Sequence, residues 1–482
     1  MTTQRQYLEQ ARSVLASFDP SGMRALGLLP RNDLFFPAIY YPPLTRYPES
    51  TEADMMGGLA PREARPFALY AHIPQCPVRC TYCHWVVTLQ NTPADIDVYL
   101  DHLEKEVEMW RDRLGGGALA PSSVLIGGGT PTLMPPAQMK RFLTLLTTRF
   151  DLSRCAQFTF EAEPTTLLGQ EGTERLKLLK DFGVHRISMG VQSFDDEVLR
   201  YMGRPHSEVE AREAIRNIRK AGIESLSIDL IYGFPGCTPE KWIGTLEAAL
   251  DTGIDAYQLY RLRIVPHGDK VGAIKSKYEK EPDRFPSLED VYLMKALGAV
   301  VSRARGFGEN LRRIYSRSPR HISYYLRDYG CRLYDVLGIG LSSWSNLGDR
   351  TLLNTGSSLK TYYKMIDEGR LPVDRGLVRS GSDELRKNFV LPLKSYGVSK
   401  ALYREKTGAD VDDVFGARVA MLAEHGLLAE DDVKVALTDK GGFFADEVVM
   451  QFYDRAYLPF AESAYSSGEL NPHLQPLQGL PA

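Results

Sequence analysis

The sequence contains few cysteines, six among 482 residues. Cys155, Cys237 and Cys331 are scattered along the chain, and we interpret them as small buried or half-buried side chains. So sparse a cysteine content is typical of a protein from a reducing compartment.

Long apolar runs and an excess of charge of one sign are also absent. No apolar run reaches the roughly 18 residues that a membrane span needs. Residues 1–6 lack the apolar core of a signal peptide. The net charge of −3 shows no electrostatic footprint of nucleic-acid or membrane-surface binding. We therefore expect a cytoplasmic protein with neither nucleic acid nor membrane as a partner.

The other three cysteines lie close together. Cys76, Cys80 and Cys83 have C-x3-C-x2-C spacing directly after the apolar run Phe67–Ile73. A disulfide cannot use three thiols evenly, and a structural zinc site would need a fourth ligand, here His84 or His72. Three thiolates suit three irons of a [4Fe-4S] cluster and leave the fourth iron open for a ligand. The spacing favours this reactive cluster, with a zinc knuckle as the alternative.

The cysteine segment resembles the opening of a radical S-adenosylmethionine (SAM) enzyme. The resemblance rests on Tyr70-Ala71-His72-Ile73-Pro74-Gln75-Cys76 and on the two following cysteines, with Tyr82 between them. It points to the HemN-like group of coproporphyrinogen III dehydrogenases, HemW-type haem chaperones, anaerobic haem-degrading enzymes and class C radical SAM methyltransferases. It covers residues 67–265 well and implies a [4Fe-4S] cluster on Cys76, Cys80 and Cys83.

From residue 67 the pattern alternates between strands and helices. The predicted strands are 67–73, 123–126, 157–161, 186–190, 225–231 and 256–265. Strands separated by helices imply parallel pairing. Six units are too few for a closed eight-unit barrel, so we predict an α/β fold with a partial (β/α)6 barrel, as the resemblance also implies. Its functional residues should follow the C-terminal ends of the strands.

The rest of the chain divides into flanking segments. Residues 1–65 form an N-terminal extension in which a Pro-rich aromatic strap, residues 35–43, either closes over the active site or covers the outside of the barrel. Residues 66–300 form the barrel and residues 301–379 extend it. Residues 380–482 resemble the helical, winged-helix-like C-terminal domain of HemN-type proteins, without a basic run for DNA.

Candidate cofactor-binding residues follow the predicted strands. The glycine loop after the second strand can approach a ligand closely and present N–H groups. Resemblance implies that this loop and the acid ending the third strand hold SAM, and that three further residues contact a second SAM. Tyr70 and Tyr82 match aromatic positions at the SAM sites. Tyr70 and the three cysteines are also the predicted catalytic residues. In chain order these residues are Tyr70, Tyr82, Gly128, Gly129, Thr130, Glu161, Gln192, Arg204 and Asp229.

Other polar residues of these loops carry weaker expectations. We interpret Glu163 as a solvated loop acid. His84, His206 and His321 are candidate proton carriers, for which an ordinary polar role is the simpler interpretation.

The resemblance implies that a reductase such as flavodoxin or ferredoxin supplies an electron, SAM is cleaved, and a 5′-deoxyadenosyl radical forms. Trp85 stands where the dehydrogenases carry a further cysteine, which argues against coproporphyrinogen dehydrogenation. We therefore expect class C methyl or methylene transfer to an sp2 carbon of an aromatic small molecule, with two SAM molecules. The alternatives are radical tetrapyrrole chemistry, either coproporphyrinogen oxidation or anaerobic haem degradation, and a HemW-like haem chaperone.

Overall fold

The fold is taken from a computed structural model, which describes residues 3–31, 35–57, 66–117, 119–264 and 273–474. The strands are β1 Phe67–Ile73, β2 Ser123–Gly128, β3 Phe158–Ala162, β4 Arg186–Gln192, β5 Ser225–Tyr232, β6 Ala256–Arg261, β7 Gly308–Leu311, β8 Ile314–Ser316, β9 Asp335–Ile339, β10 Trp344–Leu347, β11 Arg350–Asn354, β12 Val373–Val378, β13 Val398–Ser399, β14 Leu428–Glu430 and β15 Lys434–Leu437.

The α-helices follow the same chain order. They are α1 Thr3–Phe18, α2 Pro20–Ala25, α3 Glu52–Met56, α4 Pro93–Arg113, α5 Pro136–Arg149, α6 Gly169–Asp181, α7 Asp196–Met202, α8 Glu208–Lys220, α9 Pro239–Leu250, α10 Ala273–Lys280, α11 Leu288–Ala304, α12 Tyr324–Gly330, α13 Leu359–Asp367, α14 Gly381–Ser395, α15 Lys400–Thr407, α16 Val411–Glu424, α17 Asp439–Phe443 and α18 Ala445–Met450. In the described part of the chain, no helix has both the length and the apolarity to cross a bilayer.

A twelve-stranded sheet forms the body of the molecule, in the order β12-β11-β10-β9-β1-β2-β3-β4-β5-β6-β8-β7. Its centre, from β9 through β6, is parallel, and the helices between consecutive strands provide the crossovers that parallel pairing requires. The predicted partial (β/α)6 barrel is confirmed. The sheet extends beyond it because β9 adds a parallel strand beside β1, and antiparallel strands continue both edges.

The apolar sequence of the parallel strands explains their position in the core. In β1 every residue is buried except Tyr70, which is half-buried. Strands covered on both faces have such continuous apolar sequences. The predicted sixth strand was too long, because β6 ends at Arg261; position 265 lies outside the described residues.

The strap joins the sheet to the C-terminal helices. The Tyr41 ring packs edge-on against Tyr453 at 4.9 Å between centroids, and Tyr40 packs against Trp344 of β10 at 4.7 Å. The Ala38 N–H donates to Asp446 of α18 over 2.8 Å. Helices α14–α18 and the small sheet β13-β15-β14 form the C-terminal unit. The domain boundaries at residues 65, 300 and 379 remain predictions.

Candidate active site

The residues predicted for the site line one cavity of about 800 Å³ at the C-terminal ends of the parallel strands. Those that line it are Tyr70, Cys76, Cys80, Tyr82, Cys83, Gly128, Gly129, Thr130, Glu161, Gln192, Arg204 and Asp229. The fold therefore brings together residues that lie up to 159 positions apart in the sequence. Their individual ligand roles remain predictions.

The loop that carries the three cysteines is fixed at both ends. The Cys76 N–H donates to the Thr88 carbonyl over 2.9 Å. The Thr81 N–H donates over 2.9 Å to the carbonyl of Met202, the last residue of α7. These bonds fix the backbone of the segment that carries the three thiols at the cavity.

The donor set fits a cluster better than a zinc ion. Arg204 Nη1 donates to Cys80 Sγ over 3.4 Å, and Thr130 Oγ1 lies 3.5 Å from Cys76 Sγ. His84 Nε2 is hydrogen-bonded to the Arg263 carbonyl at 3.0 Å, and both ring nitrogens of His72 are also occupied. Three thiols without a fourth protein ligand match a [4Fe-4S] cluster with one open iron.

The glycine loop differs from the expectation that its N–H groups face a ligand. The Gly128 N–H donates to Glu161 Oε2, and the N–H groups of Gly129 and Thr130 donate to the carbonyls of Ile73 and Gln75. A Cβ at Gly129 would lie 2.5 Å from the Gln75 oxygen. The glycines are therefore needed for close packing against the segment that leads into Cys76.

Tyr70 and His72 form a hydrogen-bonded pair on β1. The Tyr70 hydroxyl lies 3.0 Å from His72 Nδ1, and His72 Nε2 lies 3.0 Å from the Val86 carbonyl. Burial lowers the pKa of His72 to about 4, so its imidazole is neutral at physiological pH. Because a carbonyl only accepts, Nε2 carries the hydrogen and Nδ1 accepts from Tyr70. Sequence reasoning considered His72 only as a zinc ligand, although the His-Ile-Pro motif marked it.

Two carboxylates and one arginine line the floor of the cavity. Asp229 Oδ1 is buried and has no hydrogen-bond partner among the described residues. Removal from water and the charge of Asp229 raise the pKa of Glu161 to about 7, and removal from water raises the pKa of Asp229 to about 6 against the attraction of Arg186. Such underpaired acids suit an ammonium or hydroxyl-bearing ligand. Arg186 was missed, although a charged residue in an apolar strand was a usable signal.

Gln192 combines burial with backbone strain. Its φ of 69° lies in the left-handed region, which a non-glycine residue seldom adopts, and the β4–β5 register shifts between Gly190 and Gln192. Strain of this kind is concentrated at functional sites. The geometry is consistent with the ligand contact predicted for this side chain.

Glu163 is not the solvated acid that the sequence predicted. Glu163 is only 4 % exposed to solvent. Its Oε1 accepts hydrogen bonds from His206 Nδ1 at 2.7 Å and from Arg204 Nη2 at 3.4 Å. Burial alone would raise the pKa of Glu163, but His206 and Arg204 hold it below its usual value. Sequence reasoning failed here because the partners come from a different loop. Glu163 and His206 are structural supports of Arg204.

The strap and the segment after Cys83 complete the cavity walls. Ala38, Ile39 and Tyr40 line the cavity, so the strap contributes to the site rather than covering the outside of the barrel. Trp85 lies at the rim and is 56 % exposed. The sequence predicts that the region after Pro266 also lines the substrate pocket; residues 265–272 lie outside the described residues. His321 is hydrogen-bonded to Ser225 at the opposite end of β5 and is not among the cavity-lining residues.

Comparison with known proteins gives consistent matches to one group. Residues 70–249 match the Radical SAM superfamily, and residues 383–444 match the HemN C-terminal domain. The chain is 28% identical over 390 residues to the heme chaperone HemW of Bacillus subtilis, covering 80% of this chain and 98% of that protein. It is 28% identical over 434 residues to the oxygen-independent coproporphyrinogen III oxidase of Escherichia coli, covering 85% and 92%. The structure of E. coli HemN aligns with a TM-score of 0.75 and 25% identity over 86% of this chain and 96% of that one.

Proposed function

The chain is a HemN-like radical SAM protein, and from that premise we propose that it is an enzyme that performs radical chemistry on a tetrapyrrole. When bound, the cluster and SAM supply a 5′-deoxyadenosyl radical that abstracts hydrogen from the substrate. The observation that carries the proposal is one cavity that is lined by the three cysteines and extends to walls built by the strap and the C-terminal helix α14.

The relatives support a tetrapyrrole rather than the methyl transfer expected from the sequence. Their names specify either haem or coproporphyrinogen III, which are both large tetrapyrrole macrocycles with carboxylate side chains. A cavity of about 800 Å³ with aromatic walls accommodates such a body. Tyr40, Tyr325 and Trp344 contribute to these walls.

The residues of this chain have separate tasks under this proposal. Cys76, Cys80 and Cys83 hold the cluster, and Arg204 donates to the Cys80 sulfur. Glu161 and Asp229 provide acceptors for the ammonium and hydroxyl groups of SAM. The neutral His72 accepts from Tyr70 and fixes its hydroxyl at the cavity. The aromatic walls exclude water from the reacting carbon.

A HemW-like haem chaperone is the second candidate. The observation that favours it is the match to HemW along 98% of that protein. A chaperone would bind haem in the same cavity, and haem would not increase the consumption of SAM. The two functions therefore differ in the response of SAM cleavage to the tetrapyrrole.

An anaerobic assay on cluster-reconstituted protein tests the proposal. SAM and a strong reductant are incubated with coproporphyrinogen III, with haem or with neither, and 5′-deoxyadenosine and S-adenosylhomocysteine are counted by mass spectrometry. Tetrapyrrole-dependent deoxyadenosine without S-adenosylhomocysteine is the expected result, and it is absent in Cys80→Ala. Haem binding without stimulated SAM cleavage supports the chaperone, and formation of both nucleosides without a tetrapyrrole supports methyl transfer.

A further inference from the structure

One wall of the cavity carries two arginines whose side chains have no carboxylate within 4.0 Å among the described residues. Arg261 ends β6, and Arg313 lies in the turn of the β7–β8 hairpin. We propose that Arg261, Arg313 and Lys394 form a receiving site for carboxylate groups of the substrate, completed by the strap and by the C-terminal domain. This inference rests on the proposed function, because it assumes that the substrate binds in this cavity.

The two arginines are held together by the backbone. The Leu259 N–H donates over 3.0 Å to the carbonyl of Arg313, which fixes the hairpin beside β6. Arg313 has a φ of 68°, in the left-handed region that non-glycine residues seldom adopt, and its N–H donates over 2.6 Å to Glu309. The positive φ belongs to the tight turn between β7 and β8, and this turn places Arg313 in the cavity wall.

The strap and the C-terminal domain place the remaining cation. Lys394 of α14 pairs with Asp446 at 2.6 Å, and its ammonium also donates to the Ala38 carbonyl. The Phe35 ring of the strap lies 4.7 Å from the Arg261 guanidinium carbon. A contact between a guanidinium and an aromatic ring positions the guanidinium and leaves its N–H groups available to a ligand. The wall is therefore assembled from three separate parts of the chain.

The charges at this wall do not balance. Four cations, Arg261, Lys295, Arg313 and Lys394, interact with two carboxylates, Asp446 and Glu447. Arg312 adds nothing to the excess because it pairs with Glu309 at 2.9 Å. Among the described residues, no carboxylate lies within 4.0 Å of the Arg261 or Arg313 side chain, and Arg313 Nε has no hydrogen-bond partner.

The excess positive charge lies on the side of the wall that faces the cavity. Arg261, Arg313 and Lys394 are lining residues, whereas Asp446 and Glu447 are not among them. A buried positive charge without a counter-ion has an unfavourable desolvation free energy, and a carboxylate that binds beside it offsets this cost. A guanidinium fork matches a carboxylate in two parallel hydrogen bonds. The ligand class is thus an organic acid, and on a tetrapyrrole the groups received are its carboxylate side chains.

Porphyrin binding tests the site on the reconstituted full-length protein. Affinity for coproporphyrin III, with four carboxylates, and for its uncharged tetramethyl ester is measured by fluorescence. Arg261→Gln and Arg313→Gln should each weaken coproporphyrin binding about tenfold, the value of one lost charged hydrogen bond, and should leave ester binding unchanged. Arg303→Gln is the matched control, because Arg303 on α11 is exposed and does not line the cavity.

The outcomes distinguish a failure of the carboxylate site from a failure of the proposed function. If both variants bind coproporphyrin as the wild type does, the carboxylate site is wrong and the proposed function stands. If the wild type binds no porphyrin, the proposed function fails, and the site is then judged with citrate. A rise in melting temperature with citrate that is lost in Arg261→Gln and Arg313→Gln upholds the site, and no rise in the wild type overturns it. Arg261→Lys and Arg313→Lys replace any glutamine variant that does not fold.

Discussion

Arg204 Nη1 donates a hydrogen bond to Cys80 Sγ over 3.4 Å, while its Nη2 is held by the Gly190 carbonyl at 2.6 Å. This fixed positive charge beside a cluster ligand should favour the reduced cluster, because a hydrogen bond to a ligand sulfur raises the reduction potential. We expect Arg204→Gln to lower the potential by roughly 60 mV, the equivalent of about 1.4 kcal/mol for one electron. A redox titration followed by electron paramagnetic resonance measures it, and an unchanged potential would contradict the assigned contact.

Glu163 should stabilise the fold above its own pKa. Because His206 and Arg204 hold the pKa of Glu163 below its usual value, its contribution to stability is complete at neutral pH and is lost as the pH falls through the folded-state pKa. We expect Glu163→Gln to cost about 2 to 4 kcal/mol at pH 7, because Arg204 would remain buried without its carboxylate. The difference from wild type should shrink toward pH 4. Denaturant unfolding at both pH values measures it, and a pH-independent difference would show that the charge is not responsible.

Asp229 should have the opposite effect on the ligand-free protein. Its folded pKa is raised from 3.8 to about 6, so the wild type loses stability as the pH rises through this interval. We expect Asp229→Asn to be more stable than wild type by about 1 to 2 kcal/mol at pH 8 and equal to it at pH 4. The same variant should bind SAM more weakly. If Asp229→Asn is less stable than wild type at pH 8, the attraction between Asp229 and Arg186 stabilises the fold by more than the burial of Asp229 costs.

Gly129 should be required for the cysteine loop rather than for the fold as a whole. In Gly129→Ala, the new Cβ would lie 2.5 Å from the Gln75 oxygen and push the segment before Cys76 out of position. We expect severalfold less iron and sulfide per chain after reconstitution, with helix content by circular dichroism unchanged.

Gly244→Ala provides the control for Gly129→Ala. Gly244 lies inside α9 with no atom within 4 Å of an added Cβ. This substitution should keep full iron content and add about 0.5 to 1 kcal/mol of stability. Equal iron content in the two variants would contradict the packing role of Gly129.

The central sheet could be predicted because its signal is local. Strand β1 was predicted with the bounds that the structure has, since a continuous apolar run is a signal carried by neighbouring residues. The antiparallel strands β7, β8, β10, β11 and β12 were not predicted. They are short, and their pairing depends on edges of the sheet that residues distant in sequence provide.

In the site, too, residues marked by a local sequence motif could be predicted, whereas contacts between residues distant in sequence could not. The cysteines could be identified from their spacing, and the other candidate residues from the resemblance to HemN-like proteins, at strand ends that barrel topology places around one opening. Glu163 was misjudged because its partners Arg204 and His206 lie some 40 residues away. Arg261 and Arg313 were not singled out, because isolated arginines in a sequence do not reveal which of them lack an acidic partner.

The most direct test of the account is deuterium transfer from the tetrapyrrole to SAM-derived deoxyadenosine. Reconstituted enzyme is incubated anaerobically with coproporphyrinogen III deuterated on its propionate side chains, or with methyl-deuterated SAM and unlabelled tetrapyrrole, and 5′-deoxyadenosine is analysed by mass spectrometry. Radical chemistry on the tetrapyrrole predicts deuterium in deoxyadenosine in the first reaction alone. Deuterium appearing only from the SAM methyl group would contradict the account and restore methyl transfer as the function of this site.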